Sequence, residues 1–265
     1  MARRPRRHPR PPVTLNHRRT PPSARHDMFL LIAAIGAGAL FLAHTAPFAF
    51  VLEALRRDAS IWHMPADPLA PAVYLTYDDG PNPTATPMLL DVLKAEGASA
   101  TFFLIDTHLT EETAPSVRRM FEEGHAVALH SNERWMMLRR PESIAEALRG
   151  AADRIEQLAG SRPCPLFRPH AGWRSVAMYA ALDDLGYHLV GWSWGLWDWN
   201  WWRAREPIAL AERLARRANA GDIIVMHDGH HVDPRADRRY AIEATARLVP
   251  ALRARQFRLD RLPCG

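Results

Sequence analysis

From Ala72 onward, short apolar runs and helical stretches alternate six or seven times, and this alternation restricts the fold more than any other feature of the chain. Strands are expected at 72–77, 98–104, 126–129, 166–167, 187–192, 222–226 and 257–259. Helices are expected at 86–96, 111–123, 141–159, 176–185, 208–220 and 240–255. Gly97, Gly124, Gly160, Gly186 and Gly221 follow the helical stretches, where a C-terminal cap wants a left-handed residue. Repeated strand–helix alternation argues for a parallel sheet, open or closed into a barrel. In such folds the site lies at the carboxyl ends of the strands.

The rest of the chain reads differently. Residues 1–27 hold eight arginines against one acid, Asp27, a net charge of +7. The whole chain carries +5, so the remainder carries −2. The positive charge belongs to the tail, which argues against a basic groove for nucleic acid on the body. This Arg- and Pro-rich arm has little to bury and is read as disordered. Residues 28–52 then hold no Asp, Glu, Lys or Arg. A run of about 25 residues can span a hydrocarbon core of about 30 Å. It is long for a signal-peptide core and no small-x-small cleavage site follows it, so residues 28–53 are read as an uncleaved transmembrane anchor helix. With the arginines cytoplasmic, the body is expected outside the membrane. A linker over 54–71 would join the anchor to the body. The two cysteines, Cys164 and Cys264, are too few for a disulfide scaffold or a Cys-rich zinc site. A bridge between them is permitted if the body lies outside.

The strand ends carry the chemistry. After the first strand comes Thr76-Tyr77-Asp78-Asp79-Gly80-Pro81, two adjacent carboxylates before a Gly-Pro turn. One carboxylate can hold a metal while its neighbour stays free as a base. An ordinary acidic turn would have the same residues. After the third strand comes His130-Ser131, and after the fourth Arg168-Pro169-His170-Ala171-Gly172-Trp173. An arginine there can orient a carboxylate through its fork. Six tryptophans crowd residues 192–202, around Asp198 and Trp199, and either line a sugar cleft or pack against apolar surface. The sixth strand runs into His227-Asp228, well placed for proton transfer.

These five stations, in order, resemble the NodB-homology polysaccharide deacetylases, carbohydrate esterase family 4. The family's T-[FY]-D-D-G-P matches at Thr76 to Pro81, its H-[ST] at His130-Ser131, and its apolar-strand-to-His-Asp at Ile223 to Asp228. Its R-P-P-[YW]-G is met by Arg168, Pro169 and Gly172, and its Asp-Trp by Asp198-Trp199. The resemblance covers residues 72–262. It implies a distorted (β/α) barrel of about seven strands that hydrolyses N-acetyl groups from an N-acetylglucosamine-type polymer. It implies a divalent cation, expected to be zinc, on Asp79 and His130. Asp78 would be the general base steered by Arg168, and His227 the general acid oriented by Asp198. Backbone N–H groups at His170 and Ala171 would face the oxyanion, and Trp199 with Trp173 would wall the acetyl pocket. Asp78, not being a ligand, is expected to tolerate Asn with loss of hydrolysis but little loss of stability.

The family's second metal-binding His falls on Arg134, whose guanidinium has no lone pair for a metal. His170 is the best surrogate, with His230 and His231 behind it. A catalytically impaired sugar-binding domain and a deacylase of another amide or ester remain alternatives. The polymer and the oligomeric state are not legible.

Overall fold

The computed structural model describes residues 24–45, 60–196 and 206–265. The chain divides into two units, 1–40 and 41–265. Helix α1, Ala24–Thr45, starts in the first unit. It includes the polar residues Arg25, His26 and Asp27, and its side chains over 27–41 are exposed. Among the described residues, no helix is long and apolar enough to cross a membrane. The anchor expected over 28–53 is therefore without support, and its C-terminal part lies outside the described residues. The helix begins earlier, in the polar tail, and residues 46–59 lie outside the described residues.

The second unit is built on nine strands: β1 (Ser60–Ile61), β2 (Ala72–Gly80), β3 (Thr101–Ile105), β4 (Ala126–His130), β5 (Leu166–Arg168), β6 (His188–Val190), β7 (Trp194–Gly195), β8 (Ile223–His227) and β9 (Arg258–Asp260). All nine pair in parallel, in the order β1-β6-β5-β4-β3-β2-β8-β7, with β9 beside the start of β2. The seven expected strands are present. The two additional ones, β1 and β7, are only two residues long and have no periodicity to read. β1 falls inside the stretch read as linker. β6 lies near one edge of this order and β7 at the other, yet only residues 191–193 separate them. Three linking residues cannot bridge six inter-strand steps of about 4.8 Å each in a flat sheet, so the sheet curls its edges toward one another. This is the distorted barrel expected from the sequence.

The helices are α2 (Ala85–Ala95), α3 (Ala114–Glu122), α4 (Pro141–Ala159), α5 (Val176–Leu185), α6 (Pro207–Arg217) and α7 (Arg239–Arg253). Their buried faces follow the helical period. In α2 the buried residues include Ala85, Leu89, Leu90 and Leu93; in α4 they include Ile144, Ala145, Leu148, Ala152 and Ile155. Both faces of the strands are covered. β3 and β4 are buried at every residue, which explains runs such as Phe102-Phe103-Leu104 that do not alternate with polar residues. Local signals set the ends. α4 has Pro141 at its start and closes on Gly160 at φ 73°. In α5 the Ser175 hydroxyl accepts from the Met178 N–H at 3.3 Å. Cys164, just before β5, is bonded to Cys264, with 4.8 Å between alpha carbons. The expected bridge is present and closes the C-terminal segment onto the barrel.

Candidate active site

The carboxyl ends of β2, β4, β5 and β8 bring the motif residues together. Asp78 and Asp79 are consecutive, and in a regular strand they would point to opposite faces. β2 is irregular here. Tyr77 pairs with Phe102 and Asp78 with Phe103, but the next β3 residue, Leu104, pairs with Gly80. Asp79 is skipped, with a left-handed φ of 68°. This bulge re-aims the second carboxylate. It leaves no room opposite, since a Cβ on Gly229 would lie 1.8 Å from the Asp79 carbonyl oxygen. The peptide bond Gly80–Pro81 is cis.

Asp78 meets Arg168. The fully buried guanidinium donates from Nη1 to Asp78 Oδ1 at 2.6 Å and to Thr76 Oγ1 at 2.8 Å. From Nη2 it donates to the Gly191 carbonyl at 2.8 Å and from Nε to that of Val190 at 3.3 Å. Its carbon lies 4.1 Å above the Phe103 ring. Asp78 is the counter-charge of a cation with no access to water. This corrects the expectation that its neutralisation leaves stability nearly intact, because removing one member of a buried pair strands the other.

Asp79 meets His130, with 3.3 Å between Oδ1 and Nε2. Burial opposes ionisation of Asp79. The hydrogen bond and charge of His130, with the charges of His227 and Arg238, nevertheless hold it below the usual carboxylate range. His130 Nδ1 lies 2.7 Å from the Arg168 carbonyl, which fixes the ring with Nε2 toward Asp79. His170 completes the group. Ligand atoms of Asp79, His130 and His170 all lie within 4.8 Å of one another. Burial, then the charge of His130, push His170 down to about 4, with Asp79 opposing. It therefore stays neutral, as a ligand must. A buried carboxylate and two imidazoles make a donor set suited to a divalent cation. Arg134 is exposed and outside this group, and the surrogate anticipated for it, His170, is inside.

His227 ends β8 in register with Asp78. Its sequence neighbour Asp228 is fully buried. It accepts a hydrogen bond from the Thr86 hydroxyl, has no partner on Oδ1 among the described residues, and is pushed up to about 7 by burial. His170–Gly172 form a tight turn with Ala171 at φ 50°. The two bonds within it use the N–H groups of Gly172 and Trp173, not those of His170 or Ala171. Trp173 is half-buried and packs against the main core, which ties part of its indole to the scaffold. Of the six clustered tryptophans, Trp192 packs against a smaller core and Trp194 donates to Asp222 at 3.1 Å. Asp198 and Trp199 lie outside the described residues. Two contributors were not expected. His108 follows β3 and its Nδ1 lies 3.1 Å from the Asp79 carbonyl, where it braces the bulge. Buried Arg238 adds its charge to Asp79. His108 sits at a strand end, so the rule that found the other residues applied to it too.

Residues 66–190 match the family model described as polysaccharide deacetylase. The chain is 34% identical over 209 residues to a chitooligosaccharide deacetylase of Sinorhizobium fredii, covering 73% of this chain and 91% of the relative. It is 29% identical over 187 residues to a peptidoglycan-N-acetylglucosamine deacetylase of Bacillus cereus, covering 70% and 84%. Among solved structures it is similar to the peptidoglycan deacetylase PdaC of Bacillus subtilis. The TM-score is 0.63 at 25% identity, over 74% of this chain and 90% of that one.

Proposed function

The chain belongs to the polysaccharide deacetylase family, and from that premise we propose that it removes N-acetyl groups from an N-acetylglucosamine-type glycan of the cell envelope, using zinc held by Asp79, His130 and His170. The observation that carries this reading is the position of that three-residue group beside an ion-paired carboxylate that is not part of it. When bound, the cation supplies Lewis-acid polarisation of the acetyl carbonyl and acidifies water. Asp78 takes the proton of the attacking water as general base, and Arg168 holds its carboxylate in place. His227 gives a proton to the leaving amine, oriented by Asp198. The His170 and Ala171 N–H groups stabilise the developing oxyanion. Trp199 closes the acetyl pocket. The Cys164–Cys264 bridge supports a location outside the cytoplasm, where an envelope glycan is met.

The test is acetate release by the purified chain from N-acetylated chitooligosaccharides, peptidoglycan and acetylated esters, with metal content measured in parallel. Release from the N-acetylated glycans is expected, lost on chelation and restored by zinc. A zinc-loaded chain that releases acetate only from the esters, or from none of them, overturns the proposal.

A further inference from the structure

The turn Arg134–Leu138 follows β4 by three residues, so it stands on the same rim of the sheet as His130. It is built asymmetrically. Met136 and Met137 are buried and pin it to the body, while Trp135 is 62% exposed. Arg134 is exposed too. Its sequence neighbour Glu133 is taken by Arg139, and among the described residues Arg134 has no ion pair. Some surface arginines of this chain are matched with an acid, as Arg149 is with Asp184, while others such as Arg140 and Arg213 show no ion pair among the described residues. A guanidinium without an ion pair among the described residues and an indole left in water therefore occupy consecutive positions of the turn that follows His130.

An indole of this size generally gains by burial, and a flat apolar face left open suits the C–H face of a pyranose. A guanidinium is a planar fork matched to a carboxylate. We propose that Arg134 and Trp135 bind an acidic sugar next to the residue that loses its acetyl group, with the indole against the ring and the guanidinium on the carboxylate. This rests on the deacetylase reading and narrows its substrate class to N-acetylated glycans that carry carboxylates. The position that cannot ligate a metal becomes a specificity residue.

The experiment compares tetra-N-acetylchitotetraose, a neutral probe, with a tetrasaccharide of alternating N-acetylglucosamine and N-acetylmuramic acid. The kcat/KM of the zinc-loaded chain should favour the acidic probe by about tenfold or more at low salt, as one charge-assisted contact implies. The preference should shrink as salt is added. Arg134→Gln should bring the ratio to near one, acting on KM, and Arg134→Lys should keep part of it. Trp135→Ala should raise KM for both probes. Calorimetry with the metal-free chain reads the same ratio without turnover, so the comparison is decided even if neither probe is hydrolysed and the deacetylase reading fails. A wild-type ratio near one in that calorimetry, or a ratio that Arg134→Gln leaves unchanged, overturns the proposal.

Discussion

The carboxylates of Asp78 and Asp79 leave consecutive backbone positions for different partners, Asp78 toward Arg168 at 2.6 Å and Asp79 toward His130 at 3.3 Å. The skipped pairing at Asp79 makes this division possible. A general base must keep a lone pair clear of the metal, and a ligand must give its own up. Two acids on one regular strand would have to serve from opposite faces of the sheet. One left-handed residue separates the roles within a single strand end.

Asp78→Asn is expected to lower the rate of acetate release by about 10²-fold or more, the scale of a lost general base. Bound zinc should stay near one per chain. Stability should fall by about 3 kcal/mol, because the buried Arg168 loses its counter-charge. Thermal melts and metal analysis of the variant check both parts. An unchanged melting temperature would mean that Arg168 does not depend on Asp78.

Gly229→Ala tests the bulge itself. The new methyl group would meet the Asp79 carbonyl oxygen at 1.8 Å and its carbon at 2.2 Å, backbone atoms that cannot swing aside. The expected cost is about 3 kcal/mol or more. Zinc affinity should fall with it as Asp79 shifts. Wild-type melting and wild-type affinity together would show that the loop after β8 does not constrain Asp79.

With His170 already beside Asp79 and His130, Arg134→His adds a redundant imidazole. Zinc affinity by calorimetry should change little. His170→Ala should weaken it by at least the 10- to 100-fold, roughly, that even outer partners of a ligand command. The reverse pattern would place the third ligand on the loop after β4 and not after β5.

Asp228 gives a pH dependence with a definite sign. Burial raises its carboxyl from 3.8 to about 7 in the folded chain. The folded state thus holds a proton that the unfolded state has released between those values. The contribution to stability is full below about pH 4 and lost as pH rises toward 7. Other groups act in the same range, since burial pushes His125 down to about 4. The informative quantity is therefore the difference in melting temperature between wild type and Asp228→Asn. It should move in favour of the variant from pH 5 to pH 8, and a difference independent of pH would remove Asp228 from the profile.

Cys164→Ser should destabilise the chain by about 4–5 kcal/mol in the chain-entropy account of a loop of about 100 residues. Reductant should lower the melting temperature of the wild type and leave that of the variant where it is.

What the sequence made legible was local. The helix ends at Gly160 and Gly186 and the strand ends at Asp78, His130, Arg168 and His227 were readable because turn chemistry and strand–helix alternation act within a few residues. The place of His170 beside Asp79 and His130 was visible only as a candidate, because its distance to Asp79 depends on how β5 and β2 are placed in the curled sheet. The bulge at Asp79 was not visible at all. It is defined against β3 and braced by His108 and Gly229, all far off in the chain. β1 and β7 escaped for a different reason, being two-residue strands held by their neighbours and by no pattern of their own.

The position of β2 in the sheet also sets an order of events as the chain is made. One edge of β2 pairs with residues 101–104, which emerge soon after it, and β4, β5 and β6 can then add outward one at a time. Its other edge waits for 223–227, and the start of the first edge waits for the strand Arg258–Asp260. Until then the longest strand of the domain presents an open side, the condition under which partly made sheets pair with the wrong partner. His227 arrives only on that late strand, so Asp78 acquires its neighbour when most of the chain already exists. A nascent or interrupted chain therefore carries Asp78, Asp79, His130 and His170 without His227, and the proposed site is assembled only once the sheet has been completed from both sides.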